Sequence, residues 1–221
     1  AKGKVLQYIN SYKITRFDYM VLTHPHDDHY GGLTEVLANI EVSVIYMSEL
    51  ASDRIKTASY GGVKNAVSES GAEILYSLQG EIIKGGGLEI VFFTPSTQIY
   101  EDATDEDFDL NELSPIIMVY YGGKSIMFTG DATSKTENLL LSAAENHSVL
   151  RNKPIQADVL KVAHHGSRYS STNKFLKEVK PDISVISVAE DNHYGHPHPD
   201  TVERLLGYSR QILRTDTEGD I

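Results

Sequence analysis

Thr23-His24-Pro25-His26-Asp27-Asp28-His29-Tyr30-Gly31-Gly32 places three imidazoles and two carboxylates directly after an apolar run that begins at Phe17. Nitrogen and oxygen donors in this density suit borderline divalent ions such as zinc. His24 and His26 are two residues apart, so an extended backbone points both the same way. Asp28 and His29 follow after a turn and can reach a second ion close by.

Working outward, eight of the nine histidines fall in three groups: 24/26/29, 164/165 and 193/196/198. Each group follows an apolar stretch that reads as a strand, and strand ends can bring distant residues to one face of a sheet. His147 stands apart in a polar stretch and is expected at the surface. Phe128-Thr129-Gly130-Asp131 puts a carboxylate just past another apolar strand. Taken alone, Asp131 fits two roles, an N-cap of the helix that follows or a ligand at the sheet edge. Leu160-Lys161-Val162-Ala163-His164-His165-Gly166-Ser167 and His193-Tyr194-Gly195-His196-Pro197-His198-Pro199 complete the set.

Between these motifs the chain alternates strands and helices. Strands are expected over 17–23, 42–47, 73–77, 88–94, 115–121, 124–129, 158–163, 182–188 and 211–215. Helices are expected over 31–39, 63–70, 134–145, 173–179 and 199–206. The sequence Gly122-Gly123 between two apolar runs signals a tight hairpin. Hairpins mixed with crossover helices suggest two sheets with helices outside, not a simple doubly wound sheet. No composition shift divides the chain, so residues 1–221 read as a single domain.

The net charge of −11 argues against a broad basic surface for tracking nucleic acid. Seven of the acids and no bases lie in the stretch from Glu101 to Glu112, which reads as a solvated loop. The chain has no cysteine, so disulfides and thiolate ligands are excluded, while a cytoplasmic and an extracytoplasmic setting both remain open. No apolar run approaches the roughly 20 residues that span a bilayer.

Together the motifs Thr23 to Gly32, Phe128 to Asp131, Leu160 to Ser167 and Tyr194 to Pro197 resemble those of the metallo-β-lactamase-fold hydrolases. Within that family the chain is similar to the soluble domain of ComEC-type competence (DNA-uptake) proteins and their free-standing relatives. The resemblance implies an α+β fold, an αββα sandwich of two mixed sheets packed face to face with helices outside. It implies two divalent ions, zinc or else manganese or iron. His24 and His26 would hold the first ion, Asp28 and His29 the second, with Asp131 bridging and His165 as the remaining ligand. His164 and His196 would ligate or touch substrate. Two departures stand out. No histidine lies between His29 and His147 to complete the first ion's shell. The hairpin with which the family begins is absent, so trimming at both ends is expected.

Two such ions lower the pKa of a shared water and supply hydroxide near neutral pH. Asp28 or Asp131 would orient it, and His164 or His196 would give a proton to the leaving group or bond a phosphate oxygen. Ser167 and nearby N–H groups are candidates for substrate phosphate, above all if they open the following helix. The expected substrate is a phosphodiester, either a small ester or DNA, which makes the chain a phosphodiesterase or nuclease. Two alternatives stand beside it: hydrolysis of a carbonyl substrate (β-lactam, lactone or thioester), and a non-catalytic, metal-stabilised binding domain.

Overall fold

The computed structural model describes residues 3–48 and 58–221. The chain forms two compact units, one of residues 1–77 with 100–110, the other of 78–99 with 111–221.

The first unit opens with helix α1 (Lys4–Ser11), then strand β1 (Arg16–Val21), helices α2 (Asp27–Tyr30) and α3 (Leu33–Leu37), strand β2 (Glu41–Met47), helix α4 (Ala58–Glu69) and strand β3 (Glu73–Tyr76). The order β1-β2-β3 is parallel throughout, with Arg16 opposite Glu41 and Met47 opposite Tyr76. Parallel neighbours need crossovers, which α2–α3 and α4 supply. Leu22, Tyr30, Val42, Ile45, Tyr60, Val63 and Val67 form the core between strands and helices. Ile9 of α1 closes a second cluster with Val36 and Ile40.

The expected helix over 31–39 therefore starts earlier and in two pieces. His26 is extended and caps α2, whose first turn carries Asp27 and Asp28, both favourable beside its N-terminal dipole. Gly31 sits where a Cβ would lie 2.7 Å from the Asp27 carbonyl oxygen, so the chain tightens there before α3 begins.

The second unit contains β4 (Ile82–Gly85), β5 (Leu88–Phe92), the start of helix α5 (Thr97–Asp102), β6 (Ile117–Tyr121), β7 (Lys124–Phe128), α6 (Ser134–Asn146), β8 (Val159–Lys161), α7 (Asn173–Val179), β9 (Ile183–Ile186), α8 (Pro199–Leu206), β10 (Gln211–Arg214) and α9 (Thr215–Glu218). Its sheet runs β10-β9-β8-β7-β6-β5-β4. The β4 to β7 half is antiparallel and the β7 to β10 half parallel, so mixed character belongs to this sheet. Gly122 and Gly123, at φ 59° and 76°, make the two-residue turn between β6 and β7. Met118, Met127, Leu160 and Ile186 of the strands pack with Leu140 of α6, Phe175 and Leu176 of α7 and Leu205 of α8.

Helix α1, strand β4 and helix α9 are elements the sequence reading lacked. The acidic stretch from Glu101 is also less loop-like than expected: α5 runs to Asp102 and a 3-10 turn covers Leu110–Leu113. Its acids are mostly solvated, with Ala103 and Leu113 as the buried anchors.

Candidate metal centre

In the first unit, β1 delivers the chain to His24, which is 1% exposed. The Thr23 hydroxyl lies 3.2 Å from His24 Nδ1 and 3.3 Å from His29 Nδ1, steering both rings. His24 Nε2 lies 3.0 Å from His26 Nδ1. Two ring nitrogens this close share a proton or converge on a cation, because two facing lone pairs would repel. The extended His26 thus points its ring with His24, as alternation requires. His29 Nε2 is 3.7 Å from the Asp28 carboxylate, which is largely solvent-facing.

The adjacent Asp27 has a different task. Its Oδ1 accepts from the Tyr30 hydroxyl and, at 3.0 Å, from the Ser59 hydroxyl. Those two bonds, Tyr30 first, hold its carboxyl below the usual carboxylate range. Asp27 ties α2 to α4, and Asp28 is the carboxylate that stands beside His29.

In the second unit, three neighbouring parallel strands release their chemistry-bearing loops at one sheet edge. β7 leads to Asp131, β8 to His164 and His165, β9 to the loop with His196. Asp131 is 3% exposed and its N–H donates to Ser114 Oγ at 2.9 Å. The N-cap position of α6 is Thr133, so Asp131 does not fill the capping role. His165 Nε2 is 3.4 Å and His164 Nε2 3.9 Å from Asp131 Oδ2. His165 Nδ1 donates to the Ser187 carbonyl oxygen at 2.6 Å, which in the neutral ring leaves Nε2 as the acceptor. That pairing orients a metal-binding imidazole in many sites.

The double histidine adopts left-handed backbone: φ is 48° at His164, 52° at His165 and 84° at Gly166. At Gly166 a Cβ would sit 2.6 Å from Pro197 Cβ, so only glycine lets the His196–Pro197 segment approach. The His164 and His196 rings then meet edge to face at 5.6 Å. Burial, and next the His164 and His165 rings, push the His196 pKa below its ordinary value.

A model of the metallo-β-lactamase superfamily matches residues 3–190. The chain belongs to the metallo-β-lactamase superfamily. Members of this superfamily are generally metal-dependent hydrolases. The chain is 27% identical over 217 residues to ComE operon protein 3 of Bacillus subtilis, covering 98% of this chain and 26% of that protein. It is 27% identical over 222 residues to Recombination protein 2 of Haemophilus influenzae, covering 100% of this chain and 24% of that protein. It thus spans about a quarter of the length of the curated relatives it matches. Among solved structures, the diiron β-hydroxylase CmlA from Streptomyces venezuelae aligns with TM-score 0.56 at 13% identity, over 90% of this chain and 44% of CmlA. Zn²⁺-bound PqqB from Methylobacterium extorquens aligns with TM-score 0.52 at 13% identity, over 97% of this chain and 79% of PqqB. These likenesses support the fold, an α+β metallo-β-lactamase fold.

Several residues of this superfamily domain gain their roles only from the structure. Asn192 clamps His196, accepting its N–H at 2.9 Å and donating to its carbonyl at 2.7 Å. Glu137, 1% exposed on α6, accepts from the N–H groups of Ser171 and Thr172 and from the Thr172 hydroxyl. Arg204 of α8 donates to the carbonyls of Arg168, Ser170 and Ser171. Together they fix the segment after the double histidine. Ser167 is 2% exposed, its Oγ accepting the Tyr169 N–H at 3.4 Å. Helix α7 opens only at Asn173 with Thr172 as its cap, so Ser167 does not begin a helix. His198 caps α8 by accepting the Asp200 N–H at 3.2 Å, and His193 is exposed. His147 is half-buried, its ring packed on Gly80, which corrects the expectation of a plain surface residue. Among the described residues, no helix is long and apolar enough to cross a membrane.

Proposed function

We propose that the chain is a metal-dependent phosphodiesterase or nuclease, working as one hydrolase domain over residues 1–221. The observation that carries this reading is the grouping of Asp131, His164, His165 and His196 at the ends of β7, β8 and β9, with His165 held by the Ser187 carbonyl. The donor set fits divalent ions: a buried carboxylate, an imidazole with its second nitrogen already bonded, and no thiolate.

His24, His26, Asp28, His29, Asp131 and His165 would hold two such ions, zinc or else manganese or iron. When bound, the ions would supply an activated water and polarise the electrophile. Asp28 and Asp131 would orient the attacking water. His164 and His196, their rings 5.6 Å apart, would hydrogen-bond a phosphate oxygen or protonate the leaving oxygen. Ser167 would serve the substrate through the loop it holds. Phosphodiester is favoured over carbonyl substrates by the similarity to a relative named Recombination protein 2.

The test is hydrolysis of bis-p-nitrophenyl phosphate and of single-stranded DNA with added Zn²⁺ or Mn²⁺, beside a β-lactam and an Asp131→Ala control. Metal-dependent phosphodiester cleavage that the substitution abolishes is expected. Turnover of the β-lactam alone, or metal binding without turnover of any substrate, would overturn the reading.

A further inference from the structure

The loop after β9 ends in a ring presented to solvent. Tyr194 is 85% exposed, yet it is not a loose side chain on a loose loop. Asn192 bonds both backbone groups of His196 and donates to the Ala189 carbonyl, closing the segment on itself. Gly195, at φ 69°, supplies the left-handed step between the two rings. The Tyr194 ring lies at 22° to the His196 ring, with centroids 6.0 Å apart. One ring face is thus turned towards His196 and the rest is open to water. A single exposed tyrosine is ordinary on a protein surface. A tyrosine stacked beside a buried-edge histidine of the candidate centre, on a backbone pinned by a side-chain clamp, is preorganised for a planar ligand.

From this geometry we infer that Tyr194 is a stacking platform for a nucleobase, so the substrate class is a nucleobase-bearing phosphodiester, not a small aliphatic phosphate ester. The inference rests on the phosphodiesterase reading and narrows its substrate. A base whose phosphate lies near His164 and His196 is within reach of a ring adjoining His196. Stacking is tolerant of base identity, because every base presents a π-face. The net charge of −11 argues against a long basic track, in keeping with recognition through one or two stacked nucleotides.

The test compares two fluorescein-labelled, phosphorothioate-linked hexamers by anisotropy on the zinc-loaded protein: hexathymidylate, and a hexamer of abasic residues with the same number of linkages. Wild type should bind the thymidylate about five- to 150-fold more tightly, the range for one stacked base. Tyr194→Ala should remove that preference while leaving affinity for the abasic strand unchanged, and Tyr194→Phe should retain it. Tyr121→Ala is the control, a 65% exposed tyrosine beside the β6–β7 turn, and should change neither affinity. Equal binding of the two strands by wild type, or a preference that survives in Tyr194→Ala, overturns the inference. Failure of the phosphodiesterase reading shows separately, as absent hydrolysis of bis-p-nitrophenyl phosphate, and does not alter the base preference that anisotropy reads.

Discussion

His165 Nδ1 lies 2.6 Å from the carbonyl oxygen of Ser187, linking the loop after β8 to the end of β9. A carbonyl can only accept, so in the neutral ring this bond fixes the tautomer and turns the Nε2 lone pair towards Asp131, 3.4 Å away. If that lone pair is a ligand, His165→Ala lowers zinc affinity by at least about a hundredfold. His147→Ala, remote in sequence from every proposed ligand, leaves it unchanged. Equilibrium dialysis against a zinc buffer measures both, and equal affinities for the two variants would remove His165 from the ligand set.

Gly166 and Pro197 make contact that no other residue at 166 permits. An alanine there would meet Pro197 Cβ at 2.6 Å and Cα at 3.0 Å, at a φ of +84°. Backbone strain and steric overlap together should cost Gly166→Ala about 2–4 kcal/mol in urea unfolding. Adding Pro197→Gly should recover part of that loss, since the nearer clash disappears. Additive effects of the two substitutions would mean that the contact is not the source of the cost.

Glu137 gives the fold a pH dependence of defined sign. Burial pushes its pKa from 4.5 up to about 7, against the opposing Thr172 and Ser171 bonds. A carboxyl with a raised folded pKa contributes stability that is full below its unfolded value and lost as pH rises through its folded one. Wild type should therefore lose up to about 3 kcal/mol relative to Glu137→Gln between pH 4.5 and 7. Urea denaturation of both proteins from pH 5 to 8 measures the difference. A relative gain with rising pH would instead mean that the carboxylate is ionised in the native state, held by the N–H groups and Arg204.

The β6–β7 turn offers a stability change separable from the chemistry. Gly122 and Gly123 both have positive φ, 59° and 76°. Gly123→Val should cost about 1–2 kcal/mol, whereas Gly122→Asn should cost less because asparagine tolerates this conformation. Neither substitution should alter zinc affinity. A large change in zinc binding by Gly122→Asn would contradict the independence of the two ends of β7.

The residues differ in how far their sequence context revealed them. Gly122-Gly123 between apolar runs marked its hairpin because the turn chemistry is local. Helix α7 was legible from Asn173 to Val179, its buried Phe175, Leu176 and Val179 lying on one face. Strand β4 was not, since Ile-Ile-Lys-Gly offers too short a run to show alternation. Helix α1 hid because eight residues give little more than two turns, with Ile9 its one buried side chain. At the candidate centre, residue types located Asp131 and the paired histidines. They named Asp28 and passed over Asp27, but gave no sign of what Asp27 does, because its partner Ser59 lies 32 residues away. Glu137 carried no signal at all: its partners Ser171 and Thr172 lie 34 and 35 residues away.

The parallel run from β7 to β10 opens its connecting loops at one edge of the sheet, while the β4–β5 and β6–β7 turns lie elsewhere in its hydrogen-bonded ladder. The loop between Ser187 and His198 is held by the Asn192 clamp and lies outside the strand ladder, so a different side chain at position 194 would disturb no strand pair. Selection acting on such a frame can change what is recognised while the ladder that holds Asp131 and His165 is inherited intact.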